Sequence, residues 1–170
     1  MIHAATSGWP ALWKETAGIT LLVLIPALYA TAQTPDTVQI YTRATHKPVQ
    51  EVMEDVEFAI SERNFRVTSQ LHVGHGIRER DKIAFPDYEV ILFCNLGLAR
   101  KMLELDPGYI NYCPGRITVR GAGDTTHIAA PLLPEHPAQD AELATLVRDT
   151  NAQLRAIVDF GTENWDRRKP

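Results

Sequence analysis

Apolar and polar positions alternate with a period of two from Val38 to Arg43, where Val38 and Ile40 interleave with Gln39 and Tyr41. That period predicts a first strand with one buried face. The period then changes: Val49, Val52, Met53, Val56 and Ile60 recur at helical spacing, with Thr45 placed to cap the helix and Pro48 tolerated in its first turn. Glu51, Asp55, Glu57 and Glu62 fall on the polar side, and Asn64 ends the helix. Phe65, Val67 and Leu71 alternate with Arg66, Thr68, Gln70 and His72 as a second strand. Gly74 and Gly76 bracket His75 in a stretch that reads as irregular chain, followed by a helical turn over Ile77 to Ile83 and a turn at Pro86-Asp87.

Tyr88 to Asn95 contains four consecutive apolar residues, Val90 to Phe93, which predicts a central strand covered on both faces. Leu98, Ala99, Met102, Leu103 and Leu105 form a short amphipathic helix stopped by Asp106-Pro107-Gly108. Tyr109 to Cys113 leads into a strand over Arg116 to Arg120, and a hairpin turn at Gly121 to Asp124 returns the chain as Thr126 to Ala130. After a linker from Pro131 to Pro137, Leu143, Leu146, Val147, Leu154, Ile157, Val158 and Phe160 outline a closing helix of about five turns. The order β-α-β(4)-α predicts an α+β fold, an antiparallel sheet of about five strands packed on two main helices.

Ahead of this domain, residues 17 to 33, AGITLLVLIPALYATAQ, make an apolar run that ends in the small-x-small step Ala30-Thr31-Ala32. The pattern predicts a signal peptide over residues 1–32, cleavage after Ala32 and a periplasmic or otherwise exported single domain over 33–170. The alternative is a membrane anchor over residues 17–32, with Trp9 and Trp13 at the lipid interface. A span needs about 20 apolar residues, whereas Lys14 and Glu15 cut this run at the front and Pro26 interrupts it. The leader carries no twin-arginine pair, which points to the general secretory route.

The formal charge of −4 survives cleavage because Lys14 and Glu15 cancel. Such a chain has no basic field for a nucleic-acid backbone, so no nucleic-acid partner is expected. Arg78 and Arg80 alternate with Glu79 and Asp81 as a solvated face, and Arg167-Arg168-Lys169 reads as a tail.

Export changes what the two cysteines, Cys94 and Cys113, can do, because outside the cytosol thiols meet oxidant. Three chemistries are open to them. A Cys94–Cys113 disulfide would close a loop of about 20 residues and contribute roughly 3 kcal/mol. A thiol-redox pair would more often show C-x-x-C spacing. Thiolate ligation of haem or a transition metal would recruit imidazoles, for which His72 and His75 are the densest pair and His127 a further candidate. His46 and His136 adjoin helix starts, where capping or solvent suffices. There is no G-x-S-x-G, no H-E-x-x-H and no phosphate-cradling glycine loop, and no catalytic residue is assigned.

The segment FPDYEVILFCNLGLARKMLELDPGYINYCPGRITV resembles the core signature of the domain-of-unknown-function 302 family. In that signature a strand ends in a Cys-Asn or Gly-Asn step, a short helix follows, and a proline-containing turn opens the next strand. Cys94-Asn95-Leu96 and Cys113-Pro114-Gly115-Arg116 occupy those positions, and the likeness runs from about Val38 to Phe160. The resemblance implies a TATA-binding-protein-like α+β fold and brings no function. The chain departs from the pattern twice. Leu71-His72-Val73 stands where many members carry Asp-His, and Gly115 follows the proline where many members place a cysteine.

Together these features predict an exported, non-enzymatic accessory domain, a homodimer, that binds a small redox-relevant ligand at His72, His75, Cys94 and Cys113, with haem or a transition metal as cofactor. One rival is a structural module stapled by Cys94 and Cys113, with the exposed sheet face as its subunit interface. The other is a thiol- or haem-dependent oxidoreductase. A membrane enters only if the leader is retained.

Overall fold

The computed structural model describes residues 38–135 and 140–163, so the predicted leader and its cleavage point at Ala32 lie outside the described residues. Strand β1 (Ile40–Thr45) is followed by helix α1 (Val49–Glu62), β2 (Arg66–His72), α2 (Val73–Asp81), β3 (Tyr88–Cys94) and α3 (Leu96–Leu105). A 3-10 helix (Pro107–Tyr112), β4 (Gly115–Ala122), β5 (Thr125–Pro131) and α4 (Ala141–Phe160) complete the chain. The five strands form one sheet in the order β1-β5-β4-β3-β2, every neighbouring pair antiparallel. This is the α+β architecture expected from the alternating periods, with three further helical segments, α2, α3 and the 3-10 helix, beside the two long helices. No helix among the described residues is long and apolar enough to cross a membrane.

One face of the sheet makes the core. Ile91 and Phe93 of β3, Ile117 and Val119 of β4, and Ile128 and Ala130 of β5 are buried against Val52, Val56 and Ile60 of α1 and Leu154, Ile157 and Val158 of α4. Phe65 meets Phe93 edge-on, with centroids 5.4 Å apart. A second apolar cluster, Met102, Tyr109, Leu143 and Val147, joins α3 and the 3-10 helix to the start of α4. Leu98 and Leu133 touch both clusters and connect them.

The double cover expected for Val90 to Phe93 is not what forms. Ile91 and Phe93 are buried, but Val90 and Leu92 point to the other face and are only half-buried. On that face Ile40, Leu71 and Tyr88 are exposed. A run of apolar residues reports that both faces avoid water to some degree, not that a layer covers each.

Asp55 also departs from its sequence position on a polar helix face. It is 2% exposed and pairs with Lys47, itself nearly buried. The Lys47 ammonium further donates to the Glu163 carbonyl at 2.9 Å, and Thr126 Oγ1 donates to the Lys47 carbonyl at 2.7 Å. Thr45 caps no helix. Its hydroxyl accepts from Lys47 N–H, and Pro48 precedes α1 without a side-chain cap.

The Gly74–Gly76 stretch is helical rather than irregular, because α2 starts at Val73 and ends at Asp81, where Lys82 adopts a left-handed conformation at φ 56°. Glycine serves here for proximity. A Cβ on Gly74 would lie 2.3 Å from the Pro86 carbonyl oxygen and 2.8 Å from Tyr88 N, whereas one on Gly76 would meet nothing within 4 Å. In urea denaturation, Gly74→Ala should therefore lose about 1–3 kcal/mol through overpacking. Gly76→Ala should be neutral or gain about 0.5–1 kcal/mol.

Candidate functional site

The register of β3 against β4 sets Phe93 opposite Gly115. A side chain at Gly115 would come within 3.0 Å of the Phe93 ring, so the missing Cβ lets β4 begin directly across that ring. Cys113, joined to Pro114 by a cis peptide bond just ahead of β4, lies beside Cys94 at the end of β3. The two sulfurs lie 3.2 Å apart, in contact as free thiols. A disulfide bond is about 2.05 Å long, so the pair is adjacent and unbonded.

Asn95, the next residue, turns the chain from strand to helix. Its Oδ1 accepts from Leu98 N at 3.0 Å as the α3 cap, and its Nδ2 donates to the Asn64 carbonyl at 3.0 Å. From the other side Asn151 fixes Leu133, accepting from its N–H at 2.8 Å and donating to its carbonyl at 3.0 Å. Between these two anchors, at the seam of the apolar clusters, lies a cavity of about 450 Å³. Its walls include Phe65, Phe93, Leu98, Met102 and Leu154, and both cysteines line it. That volume falls within the range of about 300–1,000 Å³ usual for small-ligand pockets.

Most polar groups on the wall are already used. Tyr109 donates to the Pro134 carbonyl at 3.0 Å, Asn111 to the Gly108 carbonyl at 3.0 Å and Thr150 to the Leu146 carbonyl at 2.7 Å. Among the described residues, the Tyr112 hydroxyl and the Arg116 guanidinium make no hydrogen bond or ion pair. The Cys94 thiol is pushed up from its ordinary value of 9.0 to about 11, first by burial, then by the hydrogen bond and charge of Cys113.

The histidines stand elsewhere. Antiparallel pairing puts the end of β2 against the start of β3, so His72 pairs with Glu89 while Cys94 pairs with Arg66. Cys94 lies five residue steps along β3 from Glu89, roughly 17 Å at about 3.3 Å per residue. The expected grouping of His72 and His75 with Cys94 and Cys113 therefore divides into two places at opposite ends of β3. His72 Nδ1 is 2.6 Å from Glu89 Oε2, a pair in which the carboxylate is nearly buried and the imidazole half open. His75 is exposed in the first turn of α2. His127 is half-buried on β5, across from Arg120. Among the described residues no three His, Cys, Asp or Glu side chains come together as a metal-ion site, so these residues do not fit a single haem or metal centre with mixed thiolate and imidazole ligands.

Glu89 has a legible signal that period-2 reading overlooks: it shares the buried parity of Ile91 and Phe93, the position at which a carboxylate needs a partner. The cavity and Arg116 have no comparable signal, since neither follows from the pattern of one element.

A one-sided antiparallel sheet under two long helices, with an apolar cavity at the end of its central strands, defines a small α+β domain carrying a candidate small-molecule pocket. The chain belongs to the family described as domain of unknown function DUF302, which matches residues 41–160. It is similar to a crystal structure of an uncharacterized conserved DUF302 protein from Bacillus stearothermophilus, with 22% sequence identity and a TM-score of 0.62 over 71% of this chain and 96% of that one. That likeness shows the fold. No curated protein matches the chain.

The raised thiol has a measurable consequence. The folded state holds the Cys94 proton more tightly than the unfolded chain, so this contribution to stability is complete below about pH 9 and lost as pH climbs through about 11. Urea unfolding across that window should show a decline that is smaller in Cys94→Ser, the remainder coming from groups such as Tyr41, which its hydrogen bond to Asp159 also raises. Alkylation of Cys94 by iodoacetamide should accelerate toward pH 11 rather than level off near 9, because the thiolate is the nucleophile.

Proposed function

We propose that the protein is a non-enzymatic binding domain that takes a small, largely apolar molecule into the cavity beside Cys94 and Cys113. The observation that carries this reading is the cavity itself, about 450 Å³ lined mainly by aliphatic and aromatic side chains, with two free thiols on its wall. Burying a ligand's apolar surface there yields about 25 cal/mol per Å² removed from water, before the costs of association. The raised Cys94 thiol weighs against a thiol oxidoreductase, which works through a lowered one. Among the described residues haem or a transition metal would find only the thiol pair at this point, since His72 lies at the other end of β3; an apolar organic ligand suits the wall better.

A second reading, the structural staple, is favoured by the 3.2 Å contact. In an exported protein each thiol would release a proton, and the pair would pass two electrons to an external disulfide, which leaves as two thiols. Oxidised glutathione supplies that oxidant in vitro.

Titration of the reduced protein with the neutral fluorophore N-phenyl-1-naphthylamine should give saturable, stoichiometric enhancement. Ala99→Phe, which fills the cavity from α3, should weaken binding at least tenfold with the fold intact by circular dichroism. No saturable signal from the folded wild type would remove the binding function. Thiol counting after oxidised glutathione separates the staple: zero thiols support it, and two exclude it.

A further inference from the structure

The unused arginines of this domain share one surface. Among the described residues, Arg66, Arg116 and Arg120 make no hydrogen bond, ion pair or ring contact, whereas every other arginine is engaged, from Arg43 on Asp159 to Arg155 over the Tyr41 ring. The three pair in register with Cys94, Leu92 and Tyr88, and residues paired across neighbouring strands point to the same face. Those positions of β3 alternate with the buried Glu89, Ile91 and Phe93, so all three arginines belong to the sheet face that no long helix covers, and all three are exposed. Glu89 is the only carboxylate in the five strands, and it has the buried parity. Exposed carboxylates stand across the sheet instead, at Glu51, Glu54 and Glu62 of α1. A chain of net charge −4 thus presents a cationic sheet face, and between its arginines Ile40, Leu71 and Tyr88 are exposed.

We infer that this face docks on an anionic phospholipid surface, its guanidiniums on lipid phosphates and Ile40 and Leu71 in the boundary between headgroups and acyl chains; the inference is independent of the cavity and its ligand. A guanidinium fork matches two phosphate oxygens at once, and the aliphatic stem of an arginine lies on apolar surface while its head reaches the charge. Width separates lipid from other anionic partners. Ile40 and Leu71 lie on the two outer strands, four strand spacings apart, roughly 19 Å at about 4.8 Å each. A partner helix, about 10–12 Å across with its side chains, covers only part of that width, whereas a bilayer surface meets all of it. Single-stranded nucleic acid binds on aromatic stacking platforms, and Tyr88 is the one aromatic side chain of this face. A second copy packed face to face would set arginine against arginine with no strand carboxylate between them.

Co-sedimentation of the full chain with vesicles of phosphatidylcholine alone, and of phosphatidylcholine mixed with phosphatidylglycerol, forms the test. The mixed vesicles should bind about a hundredfold more strongly, and the preference should collapse at about 1 M salt, where the Debye length is about 3 Å. Arg66→Gln, Arg116→Gln and Arg120→Gln should each weaken binding to mixed vesicles about fivefold, and the triple variant about a hundredfold. Lysine at the same three positions keeps the charge and should retain most of the preference. Arg148→Gln removes an exposed charge from α4, on the other side of the sheet, and should change little. A retained apolar leader would add equally to the wild type and every variant, so the comparison reads the sheet face. Equal binding to both vesicle types, or a preference that survives the triple glutamine variant with its fold intact by circular dichroism, overturns the inference. So does tighter binding of a deoxythymidine oligonucleotide than of the mixed vesicles, which would make the face a nucleic-acid surface, or a wild-type dimer that the triple variant dissociates, which would make it a subunit interface.

Discussion

Burial of one sheet face beneath α1 and α4 is the constraint on which the remaining structure depends. Ile91, Phe93, Ile117, Val119 and Ile128 are at most 1% exposed, and each shares that face because strand side chains alternate. A slip of one residue between β3 and β4 would turn the apolar set of the shifted strand to the open side. The hydrophobic requirement therefore fixes the register, and the register sets Gly115 on Phe93 and Cys113 beside Cys94. The thiol pair is a consequence of core packing, through the register that packing fixes.

Polar groups divide along the same line. Inside the domain they are spent: Asp55 is paired with Lys47, Glu89 with His72, and Asn151 satisfies both backbone groups of Leu133. No buried side-chain nitrogen or oxygen among the described residues lacks a hydrogen-bond partner. Leaving one unmade costs about 1–3 kcal/mol, so a core of this kind tolerates few exceptions. On the cavity's wall the Tyr112 hydroxyl makes no hydrogen bond among the described residues, and Tyr112 is half-buried.

The cavity has an equally physical origin. The sheet with α1 and α4 makes one apolar cluster, and α3 with the 3-10 helix makes another against the start of α4. Two convex clusters joined through Leu98 and Leu133 do not fill the space between them. Asn95 and Asn151 hold its two sides by backbone hydrogen bonds, so collapse would have to break them.

Periodicity alone determined the strands, the two long helices, the short α3 and the α+β class, because burial of one face imprints a period of 2 or 3.6 on the residues themselves. It placed Cys94 and Cys113 at strand ends for the same reason. It misread Gly74 to Gly76, since a glycine needed for close approach to Pro86 looks identical to one that breaks a helix. It also pooled His72 and His75 with the cysteines, because closeness to a strand end does not say which end. Only the tertiary structure decided that β2 lies beside β3 with His72 at the end away from Cys94, that Asp55 is buried against Lys47, and that a cavity remains at the seam. Those facts depend on how separate elements meet, and a pairwise distance between elements leaves no mark on the pattern within either.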